Sequence, residues 1–545
     1  MRRRTRAAVS AGVLLAAFAT AAPATAQDPA PDTEQAAPGL AWGPCADLEA
    51  VEGEALECAR LEVPLARTAD GAPADGSGAT VELALSRVPA TGTPERTLLV
   101  NPGGPGSRAR HWAAHTARRM PAELRESYDV VAFDPRGIGA STPGIVCDPG
   151  HLAPVRPDTV PADASAEEAL REAAAAYARA CGENTGALLD HMRTEDTAHD
   201  LDAVRVALGR ERIDYLGYSY GTYLGTVYSA LYPERVRALV LDSAVGPDTP
   251  WYESNHRQSR ALDRAIGNFF AWTARHDGVY RLGTTERAVA DAYYRLRSEL
   301  ADAPDEGTVG PTELETAVLV AAYTDAVWPA VARALSSRVN DGEPAALVDL
   351  HTRFGEAPEG DRAYGGYLAV QCTDAHWPDD WGTWRGDAAK AHVAAPFMGW
   401  HNTWYNAPCV DWPAESGDWF QVGDGPGEHS AYTGPALIVH GTEDGATPIE
   451  GAHALRARLP GSVLVTEDGG RVHGITFGGN TCVDETVTAY LRDGRLPERT
   501  GRGPDTACAA RSAPAPRTGQ GAPATRADPV GPVRLERSDE CRQPV

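Results

Sequence analysis

Four absences narrow the field before any motif is read. The part of the chain that reads as folded has no Lys/Arg-rich tract and no basic stripe, and the formal net charge is −25. Nucleic-acid binding needs the opposite sign, so that class of function is argued against. Beyond the N-terminal segment no stretch of 18 apolar residues occurs, so no membrane-spanning helix is expected in the mature form. No C-x-x-C spacing occurs among the nine cysteines, which removes the usual zinc patterns. Internal repeats are missing too, which argues against a solenoid.

What is present begins with 545 residues, 43% of them hydrophobic. That suffices for one large domain with an insertion, or for two or three domains. The acidity suits solubility and a mild preference for cationic ligands. Arg2, Arg3, Arg4 and Arg6 precede an apolar stretch from Ala7 to about Ala22, and Ala24-Thr25-Ala26 offers small residues for cleavage. Residues 1–26 therefore read as a signal peptide, not an anchor, because the apolar run is short and rich in alanine. Its removal would bring the charge to about −29. Residues 27–41 read as a flexible leader and 509–545 as a disordered tail, from their Pro, Ala and Gly content.

Nine cysteines suit an exported protein. Eight fall into sequence-local pairs, Cys45 with Cys58, Cys147 with Cys181, Cys372 with Cys409 and Cys482 with Cys508. Sequence does not fix connectivity, but local pairing is the expectation. Cys541 is left over in the tail.

Strand-like runs then recur. Arg60–Leu65 and Val81–Leu85 alternate as half-buried strands do, while Thr97–Val100, Tyr128–Phe133, Ala238–Leu241, Pro435–Gly441 and Ser462–Val465 are short and apolar. Helical stripes lie between them, as at Leu201, Val204 and Leu208 in a helix opened by Thr194, and a last helix spans about Val483–Leu491. The rhythm predicts an α/β fold, a mostly parallel, doubly wound sheet of the α/β-hydrolase type. About 190 residues break it, far more than a crossover needs. Residues 247–434 therefore read as a mainly helical lid between core parts 42–246 and 435–508. In the lid, Thr312 and Glu315 are spaced as a capping box, and Val289, Tyr293, Leu296 and Leu300 form an apolar stripe. Trp377, Trp381, Trp384, Trp400, Trp404 and Trp412 either wall a cleft or form a small disulfide-stapled core.

The chemistry is read from Leu216-Gly217-Tyr218-Ser219-Tyr220-Gly221, which lies between a strand-like and a helix-like run. Strand, Gly-x-Ser-x-Gly turn and helix make a nucleophile elbow. Serine needs a base, and the base needs an orienting acid. Asp444 and His473 each follow a strand, so both fall on the edge of the sheet that carries Ser219, in the chain order of α/β-hydrolases. His473 would take the Ser219 proton, Asp444 would fix the imidazole, and the N–H groups of Tyr220 and Gly104 would hold the oxyanion. The Asn101-Pro102-Gly103-Gly104-Pro105-Gly106 cluster that supplies Gly104 is otherwise a plain turn. Asp242 and Glu443 are rival acids. His440 reads as structural, as do Asp134 and Arg136. His111 and His115 are four apart, but Trp112 stands where a zinc peptidase needs glutamate. No cofactor and no metal is expected.

Tyr128–Thr142 (YDVVAFDPRGIGAST), Asp200–Leu208 (DLDAVRVAL), Asp214–Gly225 (DYLGYSYGTYLG), the Asp444–Pro448 turn and the Cys482…Cys508 ending resemble the secreted tripeptidyl aminopeptidases of actinobacteria. These are α/β-hydrolases related to proline iminopeptidase, with a characteristic C-terminal segment, and the resemblance spans about residues 42–508. It implies a secreted serine exopeptidase, free or wall-associated, acting on free N-termini of peptides or proteins. Arg108 departs from the family pattern after Ser107, and the expectation is a narrower cleft there. Such an enzyme holds the substrate ammonium, usually with a lid carboxylate, for which Glu253 and Asp374 are candidates. The alternatives are a prolyl aminopeptidase, an exported carboxylesterase on the same scaffold, and a non-enzymatic binding protein. No feature of the sequence bears on oligomeric state.

Overall fold

A computed structural model describes residues 39–48, 54–68, 71–74, 78–423 and 427–517. The signal segment, most of the leader, residues 518–545 and Cys541 lie outside them.

Among the described residues ten strands form one sheet: β1 (Gly43–Pro44), β2 (Glu57–Pro64), β3 (Thr80–Val88), β4 (Arg96–Asn101), β5 (Tyr128–Asp134), β6 (Ile213–Tyr218), β7 (Val236–Asp242), β8 (Ala436–Gly441), β9 (Ser462–Asp468) and β10 (Thr506–Ala509). Their spatial order is β1-β2-β3-β5-β4-β6-β7-β8-β9-β10. The β1–β2, β2–β3 and β3–β5 pairs are antiparallel. From β5 across to β10 every neighbouring pair is parallel. The parallel strands from β5 to β9 are covered on both faces, which is why their sequences are largely continuous apolar runs, whereas the edge strand β10 is mostly exposed.

The two faces separate with the period of two that a strand imposes. Leu99, Val131, Leu239 and Ile438 point to one core, shared with the elbow helix Tyr220–Leu231 and the helix Thr194–Ala207. Leu98, Val130, Val240 and Leu437 point to the other, shared with the helices His111–Arg119 and Thr481–Asp493.

β7 and β8 are hydrogen-bonded neighbours, so everything between them is one excursion from the carboxyl end of β7. It is helical, as expected. Its helices Trp251–Arg275, Glu286–Asp302 and Pro311–Tyr323 enclose a core of their own, including Leu262, Phe269, Tyr293, Leu296 and Val318. Its later helix, Asp361–Asp374, instead packs on the first core of the sheet through Leu368 and Val370. The tryptophans resolve into the second of the two expected roles. Trp377, Trp384, Trp381, Trp404 and Trp400 stack in that order, at 4.9–6.2 Å between ring centres.

Two local expectations are corrected and one holds. The helix expected to open at a Thr312–Glu315 box starts at Pro311, and Glu313 returns to the Gly310 N–H (3.1 Å). Pro at the first helical position fixes that start, which frees Glu315 to pair with Arg297 and His401. The helix expected to open at Thr194 does begin there, and the Thr194 hydroxyl bonds to Asp374 and Tyr220. The tail expected to be disordered from 509 is ordered to 517: Arg511 pairs with Glu467, the Trp272 indole donates to the Pro514 carbonyl (3.1 Å), and the Arg517 N–H donates to the Tyr280 hydroxyl (3.3 Å). Strand β10 makes this possible by adding a parallel edge to β9.

All four local cysteine pairs are disulfides, Cys45–Cys58, Cys147–Cys181, Cys372–Cys409 and Cys482–Cys508. Bonds of this kind persist in oxidising compartments. No single helix among the described residues is long and apolar enough to cross a membrane.

Candidate active site

Strand β6 ends at Tyr218 and the elbow helix starts at Tyr220, leaving Ser219 alone in the turn at φ 56°, ψ −125°. A non-glycine residue there is strained by about 1–3 kcal/mol. The surroundings enforce it. A Cβ on Gly217 would lie 2.2 Å from the Gly221 carbonyl oxygen, and one on Gly221 would lie 2.7 Å from that of Asn101. The Ser219 N–H donates to the Asp242 carbonyl (3.0 Å), and the Thr222 N–H and hydroxyl both reach the Ser219 carbonyl (2.8 and 2.6 Å).

Strands β4 and β6 are adjacent, with Asn101 opposite Gly217, so the glycine cluster after β4 lies against the elbow. A Cβ on Gly103 would meet the Tyr218 oxygen at 2.5 Å. The Gly103 N–H is taken by the Asn101 side chain (2.9 Å). Gly104, at φ +111°, lines the cavity beside Ser219. Tyr220 is the first residue of its helix, so its N–H has no acceptor within that helix. Gly106 touches the insert: a Cβ there would fall 2.3 Å from the Ala363 oxygen and 2.6 Å from the Tyr367 nitrogen.

The turn after β8 presents Asp444, whose Oδ1 accepts from the Ala446 and Thr447 N–H groups (2.8 and 3.0 Å). Its Oδ2 lies 2.8 Å from His473 Nδ1, on the loop after β9. Facing a carboxylate, Nδ1 carries the proton, and Nε2 keeps the lone pair a base needs. Burial alone would raise the Asp444 pKa, but the His473 charge and hydrogen bond outweigh it and hold it at about 2. Burial alone would lower that of His473, and the Asp444 charge raises it above the ordinary imidazole value instead. His473 and Ser219 line the same cavity, of about 320 Å³.

The other candidates separate cleanly. Asp242 accepts from the Ile475 and Thr476 N–H groups (2.8 and 2.6 Å), so it supports the loop of His473 without reaching the ring. Burial pushes it up to about 6 despite those donors. Glu443 pairs with Asn268. His440 accepts the Ala244 N–H at Nδ1 (3.0 Å) and donates from Nε2 to the Thr447 carbonyl (2.9 Å), pinning the Asp444 turn to the end of β7. Asp134 and Arg136 are structural: Asp134 pairs with Arg110 and Arg136 with Asp200. His111 and His115 share one helix, and among the described residues no group of His, Cys, Asp and Glu could hold a metal.

Both expected ammonium ligands are corrected. Glu253 is exposed and does not line the cavity. Asp374 is buried elsewhere, taking the Thr194 N–H and hydroxyl (both 2.7 Å) and the Trp251 indole (3.2 Å), and burial drives it up to about 7 despite these bonds. Arg108 is exposed and does not narrow the cavity. Two carboxylates do line it: Glu356, which shares the lining with His401 and Tyr364, and Glu450, an exposed residue in the first turn of the helix Ile449–Arg458. Burial would raise Glu356, but Arg156 outweighs that and keeps it below the usual carboxylate range. Its loop, Gly355-Glu356-Ala357-Pro358, carries no motif. Glu356 pairs with Arg156, 200 residues away in the chain, as Glu313 also does, and it differs from Glu313 in lining the cavity.

A strained serine at an elbow, backbone donors beside it, and a buried carboxylate–imidazole pair on the same sheet edge define a serine hydrolase of the α/β-hydrolase fold. The family model described as alpha/beta hydrolase fold matches residues 96–283, and that described as TAP-like protein matches 395–508. The chain is 38% identical over 491 residues to a tripeptidyl aminopeptidase of Streptomyces lividans, covering 88% of each chain. It is 32% identical to the serine protease Hip1 of Mycobacterium tuberculosis, over 84% of this chain and 89% of that one. A carboxylesterase B of the same species is 31% identical, over 90% and 96%. The chain belongs to the tripeptidyl aminopeptidase family of serine peptidases.

Proposed function

We propose that the protein is a secreted exopeptidase that releases short peptides, tripeptides in particular, from free N-termini through an acyl-enzyme on Ser219. His473 takes the serine proton as Oγ attacks the scissile carbonyl. Asp444 holds the imidazole and stabilises its positive charge. The N–H groups of Gly104 and Tyr220 receive the oxyanion. Protonated His473 then gives its proton to the leaving amine, and water hydrolyses the ester with His473 again as base.

One observation carries the peptidase reading: the cavity that holds Ser219 and His473 also holds Glu356, a lid carboxylate kept ionised by Arg156. The Arg156 contact is to Oε2, which leaves Oε1 for a substrate ammonium. The proposal thus moves the ammonium ligand from Glu253 or Asp374 to Glu356. Secretion is supported by the four disulfides. An esterase is the second reading, favoured by the carboxylesterase B relative.

Chromogenic tripeptide amides with free and with acylated amines, set against short acyl esters, separate these readings. Expected are cleavage of the free tripeptide amide and a large loss on acylation, with product masses giving the released length. Turnover of esters alone, at any peptide length, overturns the peptidase reading. Release of single prolyl residues would make it a prolyl aminopeptidase. Ser219→Ala is expected to lower kcat about a million-fold with the fold intact.

A further inference from the structure

We propose that Tyr323 and Asp325, at the C-terminal end of the insert helix Pro311–Tyr323, are positioning residues for His473. The insert then holds the base in place as well as covering the cavity. This rests on His473 being the base of the preceding section.

The loop that carries His473 is gripped from two sides. Its second half belongs to the sheet: the Gly474 N–H donates to Ser243 Oγ (2.7 Å), and the next two N–H groups go to Asp242. Its first half belongs to the insert. The His473 N–H itself donates to the Tyr323 carbonyl (2.8 Å). Tyr323 is the last residue of its helix, so that carbonyl has no partner within it. The helix end also places partial negative charge beside the imidazole. The Tyr323 ring stands edge-on to the His473 ring, 5.4 Å between centres and 90° apart. Two residues before His473, Arg471 donates from Nε and Nη2 to Asp325 Oδ2 (3.3 and 3.2 Å), with its guanidinium over the Trp328 ring.

The sheet therefore fixes one end of the loop and the insert fixes the other, with His473 at the join. Asp444 sets which nitrogen is protonated; Tyr323 and Asp325 set where the ring stands. Near-attack geometry is sensitive enough that a shift of about 1 Å can cost 10²-fold in rate. Asp325 does not line the cavity, so its loss should act on kcat and leave KM alone.

The test uses the full chain and four variants. Asp325→Ala and Arg471→Ala open the same contact from opposite sides. Tyr323→Phe keeps the ring. Asp305→Ala removes an ion pair with Arg338 inside the insert (2.7 Å) that touches nothing near His473. The readouts are kcat and KM, the rate of Ser219 labelling by a fluorophosphonate, and the downfield proton resonance of His473 Nδ1–H. Expected are falls of about 10–100-fold in kcat and labelling for Asp325→Ala and Arg471→Ala, with KM nearly constant and the resonance broadened. Asp305→Ala should match the parent, and Tyr323→Phe, which keeps the ring and the carbonyl, should lose less than Asp325→Ala. Parent-like labelling and an intact resonance in Asp325→Ala and Arg471→Ala overturn the proposal. So does an equal loss in Asp305→Ala, because it would mean general loosening. No labelling of the parent chain at Ser219 overturns the functional reading itself, and with it this one.

Discussion

A methyl group on Gly106 would fall 2.3 Å from the Ala363 carbonyl oxygen, at a backbone φ of +88°. Gly106→Ala therefore has to push the loop proposed to hold the oxyanion off the insert. The expected result is a loss in kcat of up to about 10²–10³-fold, the worth of one oxyanion donor, with a smaller change in KM. Asp444 makes a second prediction at this scale. In the proposed mechanism neutral His473 is the working form, and its pKa is raised by Asp444 against the effect of burial. The acid limb of kcat/KM should thus have a midpoint above the ordinary 6.5. Asp444→Asn should lower that midpoint, since burial is then opposed only by Asp242, and should lower kcat about 10⁴-fold. A pH–rate profile of both proteins checks the sign. The same raised pKa means that charged His473 stabilises the fold fully below its unfolded pKa, and that this contribution is lost as pH rises through the folded one.

Between elements, buried ion pairs carry more than helix propensity does. Arg136 donates to both oxygens of Asp200 (2.8 Å each) and to the carbonyls of Leu65 and His191, joining the β5 turn, the β2 end and the helix Thr194–Ala207. Asp200→Ala should cost about 3–5 kcal/mol, because it strands a buried guanidinium. A denaturation midpoint shifted by less than about 1 kcal/mol would contradict this. Elements of the sheet were legible in the sequence for a physical reason: a strand buried on both faces must be continuously apolar. β10 was not legible, because Thr506-Ala507-Cys508-Ala509 is short and follows a Gly-rich stretch, and pairing with β9 alone makes it a strand. The residues proposed to react could be picked out because each lies in a turn that follows a strand, and Asp444 and His473 do meet there. Glu253 and Asp374 failed because a carboxylate's fate is set by its partners across the fold. Asp374 meets Thr194, 180 positions away in the chain. Glu356 was invisible for the same reason.

Over the whole molecule, the question is how one sheet keeps a long excursion in register with its reacting edge. It does so at several points: Gly106 on the helix Asp361–Asp374, Tyr323 and Asp325 on the His473 loop, and Pro514 and Arg517 on Trp272 and Tyr280 of the insert. Cys482–Cys508 closes a 26-residue separation and anchors β10, from which that last segment departs. Replacing both cysteines by serine should cost about 3.5 kcal/mol on the loop-entropy estimate. Hydrogen exchange should quicken first in β10 and then around Trp272 and Tyr280, before the parallel strands between β5 and β9 are affected.

The Pro514 and Arg517 contacts turn a linear polymer into a closed circuit, because its final described residues return to the piece spliced into its middle. Any protease that trims the chain just past Cys508 would sever that circuit without touching a single reacting group. The length of the C-terminus would then act as a dial on how firmly the roof of the cavity is seated, and enzymes matured to different end points should differ in rate while sharing one identical chemical centre.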